Sequence, residues 1–203
     1  MKNIRYDKQD LQQALQVLLR GGIILYPTDT VWGIGCDATN EEAVRKIFAL
    51  KQRIEAKSML CLLDGIGKLQ GYVDVPNAAW QILEATAPDP ADRETMADHR
   101  PVTIIYPNAR NVAPSLIAED GSLGIRITNE LFSHALCEQL RHPLVSTSAN
   151  ISGHPTAKVY SEIEQAIVDG VDYVCRYRRD DNTKHKPSAI IKVGMRNEVE
   201  VIR

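Results

Sequence analysis

Apolar positions along the chain change their period repeatedly, and each change marks an element. Leu11, Ala14, Leu15 and Leu18 recur at helical spacing, with Asp7 or Asp10 placed to cap them and Gly21-Gly22 to stop them, which predicts a first helix. GGIILY (21–26) then reads as a buried strand that empties into PTDTVWGIGCDATN (27–40), a stretch without period that reads as a loop. Asn40 is placed to cap a second helix, whose stripe is Ala43, Val44, Ile47 and Phe48 and whose first turn carries Glu41 and Glu42. The apolar runs MLCLL (59–63), VTIIY (102–106), LGIRI (123–127), AIIKV (189–193) and VEVI (199–202) predict strands. Shorter strands are expected at 144–145 and 173–175, and helices at 66–72, 77–85, 129–140 and 161–167. Strands alternating with helices point to a single α/β domain spanning 1–203.

Two polar stretches interrupt this pattern. APDPADRETMADHR (87–100) carries two prolines and no sustained period, and reads as an exposed loop. RYRRDDNTKHKP (176–187) mixes both signs of charge, and reads as a mobile, solvated loop able to cover a nucleotide or touch RNA.

Composition narrows the function classes. At 203 residues, with 44% hydrophobic and 25% charged positions, the chain is long enough to bury a core without disulfides or a structural metal. The four cysteines form no C-x-x-C pair, and read as small core residues. The five histidines show no metal-ligand spacing, and are expected at the surface. No apolar run approaches membrane-spanning length and the first ten residues contain no apolar leader, so a cytoplasmic protein is expected. A net charge of −2 argues against a whole-surface nucleic-acid binder.

The candidate chemistry is a constellation of hydroxyls and cations. The loop after the first strand offers Thr28 and Thr30 beside Gly33, Gly35 and Cys36, where low bulk lets a ligand approach the backbone. Lys51, Arg53 and Lys57 follow the second helix, and read either as a solvated basic end or as the grip on a polyphosphate or carboxylate. PLVSTSANISGHPT (143–156) places Ser146, Thr147, Ser148, Asn150, Ser152 and Thr156 directly after a short strand. Arg126, between apolar neighbours in LGIRI, either faces solvent or grips an anion, and taken alone the solvent reading wins. No Walker A loop, dinucleotide fingerprint, H-E-x-x-H or G-x-S-x-G occurs. Such an inventory suits binding, aligning and neutralising anions, with no dedicated nucleophile.

PTDTVWGIG, the KQR at 51–53 and STSANISG (146–153), in this order and spacing, resemble the YrdC-like family of threonylcarbamoyl-adenylate synthases over residues from about 21 to 203. The resemblance implies a twisted, mixed parallel and antiparallel sheet flanked by helices, with one concave cleft. It implies a nucleotidyltransferase that joins L-threonine, bicarbonate and ATP into threonylcarbamoyl-AMP and pyrophosphate, with Mg2+ accompanying the ATP at no site visible in sequence. The product would serve tRNA modification, with tRNA and the threonylcarbamoyl-transfer proteins as partners. Position by position, Thr30, Arg126, Ser146 and Ser188 look like the L-threonine contacts. Arg53, Lys57, Ser122, Ser148, Thr156 and Arg203 look like the ATP contacts, with Lys51 and Asn150 shaping the same site and Lys51 and Arg53 as the catalytic pair. Three departures stand out: Leu62 where many relatives carry His, Asp98-His99-Arg100 where they carry Trp-Pro-Gly, and Ser188-Ala189 for Ser-Thr. They keep two alternatives open, a carbamoyl-transfer relative of the same fold and a non-catalytic module binding RNA or the ribosome.

Overall fold

The computed structural model describes residues 6–52, 59–86 and 100–203. In chain order these form α1 (Lys8–Leu19), β1 (Ile24–Tyr26), β2 (Gly33–Gly35), α2 (Glu41–Leu50), β3 (Leu60–Leu63), α3 (Asn77–Thr86), β4 (Val102–Tyr106), β5 (Leu123–Ile127), α4 (Leu131–Leu140), β6 (Leu144–Ser148), α5 (Gln165–Gly170), β7 (Tyr173–Val174), β8 (Ala189–Val193) and β9 (Val199–Val201). The strands make one nine-stranded sheet in the order β7-β1-β2-β6-β3-β5-β4-β8-β9. Pairs β1/β7, β3/β5 and β4/β8 are parallel and the others antiparallel, the mixed α/β architecture expected.

Side-chain alternation sorts the sheet into two faces. Leu25, Ile34, Cys61, Leu63, Ile104, Tyr106, Ile125 and Val145 pack on one face in a core with Ala43, Val44, Ile47 and Phe48 of α2. Their strand neighbours Ile24, Tyr26, Leu62 and Leu144 turn to the other face, under Leu11, Ala14 and Leu18 of α1 and Phe132, Leu136 and Leu140 of α4. Those two helices cover only part of the second face. The uncovered remainder is where the site lies.

Local chemistry explains the element ends. Asp7 Oδ1 accepts from the Gln9 amide at 2.8 Å, and Asn40 Oδ1 from the Ala43 amide at 3.0 Å, as helix caps do. α4 starts two residues later than the sequence pattern suggests, because buried Glu130 caps it by accepting from the Phe132 and Ser133 amides. Burial raises the Glu130 pKa, and those amide bonds oppose the rise.

Two expectations need correction. Residues 33–35 are a strand and not part of a loop: a Cβ on Gly35 would sit 2.4 Å from the Val145 carbonyl, so only glycine lets β2 slot beside β6. The helix expected over 161–167 is instead a 3-10 turn (Tyr160–Glu162) followed by α5. The stretch 87–99 lies outside the described residues. All four cysteines are free and buried, as expected. Among the described residues no helix is long and apolar enough to cross a membrane.

Candidate active site

The uncovered sheet face is a cleft of about 870 Å³. Its floor is the second half of the strand alternation: Thr103 and Ile105 of β4, Gly124 and Arg126 of β5, Ser146 and Ser148 of β6, Ile190 and Lys192 of β8. Thr28, Thr30 and Trp32 form one wall. The glycines keep the floor open, since a Cβ on Gly33 would stand 3.3 Å from Ser146 Oγ.

Arg126 is buried at the bottom and not turned to solvent, which corrects the stand-alone reading of LGIRI. Its Nη2 lies 2.8 Å from Asp29 Oδ1 as a charge pair, without the alignment of a hydrogen bond, and 3.4 Å from Thr30 Oγ1. Thr28 and Thr30 hydroxyls are 3.0 Å apart, and the Thr28 hydroxyl donates to the Val31 carbonyl at 2.7 Å. Burial raises the Asp29 pKa while the Arg126 charge pulls it down. Arg126 Nε has no hydrogen-bond partner among the described residues although it is buried. A buried donor of this kind in a polar cleft suits an anionic oxygen.

The serine-rich loop leaves the sheet from β6 and is tied down from below. Lys51, the C-cap of α2, is almost fully buried and donates to the backbone carbonyls of Ser148 and of Asn150, the latter at 2.6 Å. Lys51 is thus turned toward the loop's backbone and is absent from the cleft lining. Asn150 also shapes this loop. Its amide donates to the Ile151 and His154 carbonyls at 2.9 Å each, folding the turn, and it does not line the cleft.

Segment 176–187 is pinned and not a free solvated loop. Asp10, buried on α1, accepts from the Arg176 and Tyr177 amides at 2.9 Å and from the Tyr173 hydroxyl at 2.6 Å. Arg179 donates to the Cys175 and Val174 carbonyls and lies over the Tyr160 ring, itself against Trp32. Arg178 donates to the Thr28 carbonyl at 3.0 Å and pairs with Asp181 at 2.9 Å, so the segment leans on the cleft wall.

The structure brings Thr30, Ser122, Arg126, Ser146, Ser148, Thr156, Ser188 and Arg203 into this one cleft. Arg203 Nε donates to the Ser188 carbonyl at 3.1 Å, and the Thr103 hydroxyl to Ser188 Oγ at 3.0 Å. Arg53 and Lys57 lie outside the described residues, as do Asp98 and His99. Leu62 is fully buried beneath α1 and α4, away from the cleft. Sequence reasoning missed Asp29, although a carboxylate inside a motif that opens off a strand was a usable signal. It also missed Lys192 and Asp120, whose 2.5 Å ion pair on the rim holds the Asp120 carboxyl down to about 2. His185, expected on the surface, is half-buried at the cleft.

Fold and site together define an α/β protein with an open, hydroxyl-lined cleft and a buried arginine built for anionic ligands. The sequence model of the Sua5/YciO/YrdC family, described as telomere recombination, matches residues 16–203. The chain belongs to that family. It is 35% identical over 167 residues to the threonylcarbamoyl-AMP synthase of Idiomarina loihiensis, covering 81% of this chain and 84% of that protein. It is 31% identical over 185 residues to that of Pseudoalteromonas translucida, covering 91% and 93%. Among solved structures it is similar to P. abyssi Sua5 complexed with L-threonine, with a TM-score of 0.81 at 20% identity over 98% of this chain. This chain spans 55% of that Sua5, about half its length. It is also similar to E. coli YciO, with a TM-score of 0.78 at 23% identity over 97% of this chain and 89% of that one.

Proposed function

We propose that this protein is an L-threonylcarbamoyl-AMP synthase. The observation that carries the reading is buried Arg126, which lines the cleft together with serine and threonine hydroxyls and whose Nε lacks a partner among the described residues, in a chain whose relatives bear that name. In the proposed reaction the threonine amine combines with bicarbonate to give a carbamate and water. A carbamate oxygen then attacks the α-phosphorus of ATP, the bond to the β-phosphate oxygen breaks, and pyrophosphate leaves. In-line displacement of this kind depends on placement and charge neutralisation more than on a protein nucleophile.

In this reading Arg126 grips the threonine carboxylate while Thr30, Ser146 and Ser188 orient the amino acid. Ser122, Ser148, Thr156 and Arg203 serve the nucleotide, with Arg53 and Lys57 added from the motif register. Lys51 and Asn150 hold the serine-rich loop in shape. The described residues contain no group of three or more acidic, histidine or cysteine side chains that could cage a metal, and Asp120 is engaged by Lys192. The Mg2+ of this reaction is therefore proposed to arrive on the phosphate oxygens and their water. The enzyme would act in the cytoplasm and pass its product to the proteins that modify tRNA.

Pure protein given ATP and bicarbonate should release pyrophosphate only when L-threonine is present, and release indifferent to threonine would remove the substrate assignment. Arg53→Ala is expected to weaken ATP use by roughly 1.5–3 kcal/mol in steady-state kinetics, with Arg53→Lys recovering only part because a point charge lacks the forked donor. Wild-type ATP kinetics in Arg53→Ala would mark that cation as part of a solvated helix end.

A further inference from the structure

His185 stands where the cleft opens into a recess bounded by Thr28, Thr30, Lys158, Arg178 and Asp181. Its Nε2 is 2.8 Å from Arg178 Nη2. A guanidinium only donates, so Nε2 must accept, and the ring is neutral with its proton on Nδ1. Arg178 is itself fixed by Asp181 and by the Thr28 carbonyl, and it therefore sets the tautomer. Nδ1–H has no protein partner among the described residues. Burial, and then the Arg178 charge, push the His185 pKa below its ordinary value, with Asp181 and Asp29 pulling the other way. Lys158 is the remaining charged side chain of the recess.

We propose that His185 is a substrate-binding residue for the amino acid, donating Nδ1–H to an anionic oxygen of the carboxylate or carbamate, with Arg178 as the positioning residue that holds its tautomer. The recess favours the amino acid over the nucleotide. It shares Thr30 with Arg126, and Arg178 bonds the same loop through the Thr28 carbonyl. This inference rests on the synthase reading and adds to it a residue outside the three motifs.

Two amide substitutions separate ligand contact from bracing. An asparagine amide nitrogen overlays Nδ1 and keeps the donor to the cleft, whereas a glutamine oxygen overlays Nε2 and keeps only the acceptor for Arg178. Calorimetric titration of the full chain with L-threonine is expected to show His185→Asn close to wild type. His185→Gln and His185→Ala should bind about three- to tenfold more weakly, the loss of one hydrogen bond, with ATP affinity unchanged in all. Rescue by glutamine and not by asparagine would reduce His185 to a brace for Arg178 and overturn the proposal, as would equal threonine affinity in every variant. A wild-type protein that does not bind L-threonine would overturn the synthase reading and this proposal with it.

Discussion

Arg126→Met is expected to lower threonine-dependent turnover roughly 10²-fold, as charge-assisted contacts to the carboxylate are lost, and to destabilise the fold by about 3–5 kcal/mol. The stability loss comes from Asp29, left buried without its counter-charge. Without Arg126 the Asp29 pKa rises further, since that charge is the main influence lowering it. Unfolded Asp29 titrates near its ordinary value of about 3.9, so over the interval up to the raised native value the folded variant holds a proton that the unfolded chain has released. The penalty should therefore be largest at neutral pH and shrink as pH falls through that interval. Denaturant unfolding at several pH values checks this. Adding Asp29→Leu should return much of the stability and none of the activity. A single variant with wild-type stability at neutral pH would mean that Asp29 finds another partner.

Lys51→Met tests the loop. Removing the ammonium leaves the Ser148 and Asn150 carbonyls without that donor, at a cost of about 2–4 kcal/mol. Ser148 sits at the end of β6 on the cleft floor, so release of its loop is expected to cost roughly 10²-fold in kcat/KM through misplacement. Hydrogen exchange should report faster opening across residues 146–153. Unchanged protection together with a raised KM for ATP alone would identify Lys51 as a nucleotide contact after all.

Much of this architecture is legible because it is periodic. α1, α2, β4, β5 and β8 follow directly from side-chain spacing, and the PTDT and STSANISG stretches announce themselves by hydroxyl density beside strands. What spacing cannot encode is the partner a side chain meets across the fold. Arg126 looks like a surface residue until Asp29, 97 positions earlier, arrives opposite it. Lys51 reads from sequence only as a cation at a helix end, and nothing in its spacing shows the two carbonyls of the serine-rich loop that it meets. β2 stays hidden because a run of Gly-Ile-Gly has almost no side chains to show a period, and its role depends on fitting between β1 and β6. The 176–187 segment has the composition of a free loop, yet a single buried carboxylate on α1 fastens its start.

β6 joins two halves of the sheet: β7, β1 and β2 on one side, β3, β5, β4, β8 and β9 on the other. Thr30 and Gly33 belong to the first half, Arg126, Ser188 and Lys192 to the second, and the cleft spans the seam. A ligand bridging the seam works as a staple. Its binding free energy counts toward holding the halves together, so occupancy and global unfolding are thermodynamically linked. During synthesis the same seam imposes an order: neither half can meet the other before residues 144–148 emerge, and the floor is incomplete until β8 follows. The binding site is thus a late, long-range product of folding, and a chain interrupted before β6 carries its first motif with nothing to close against it.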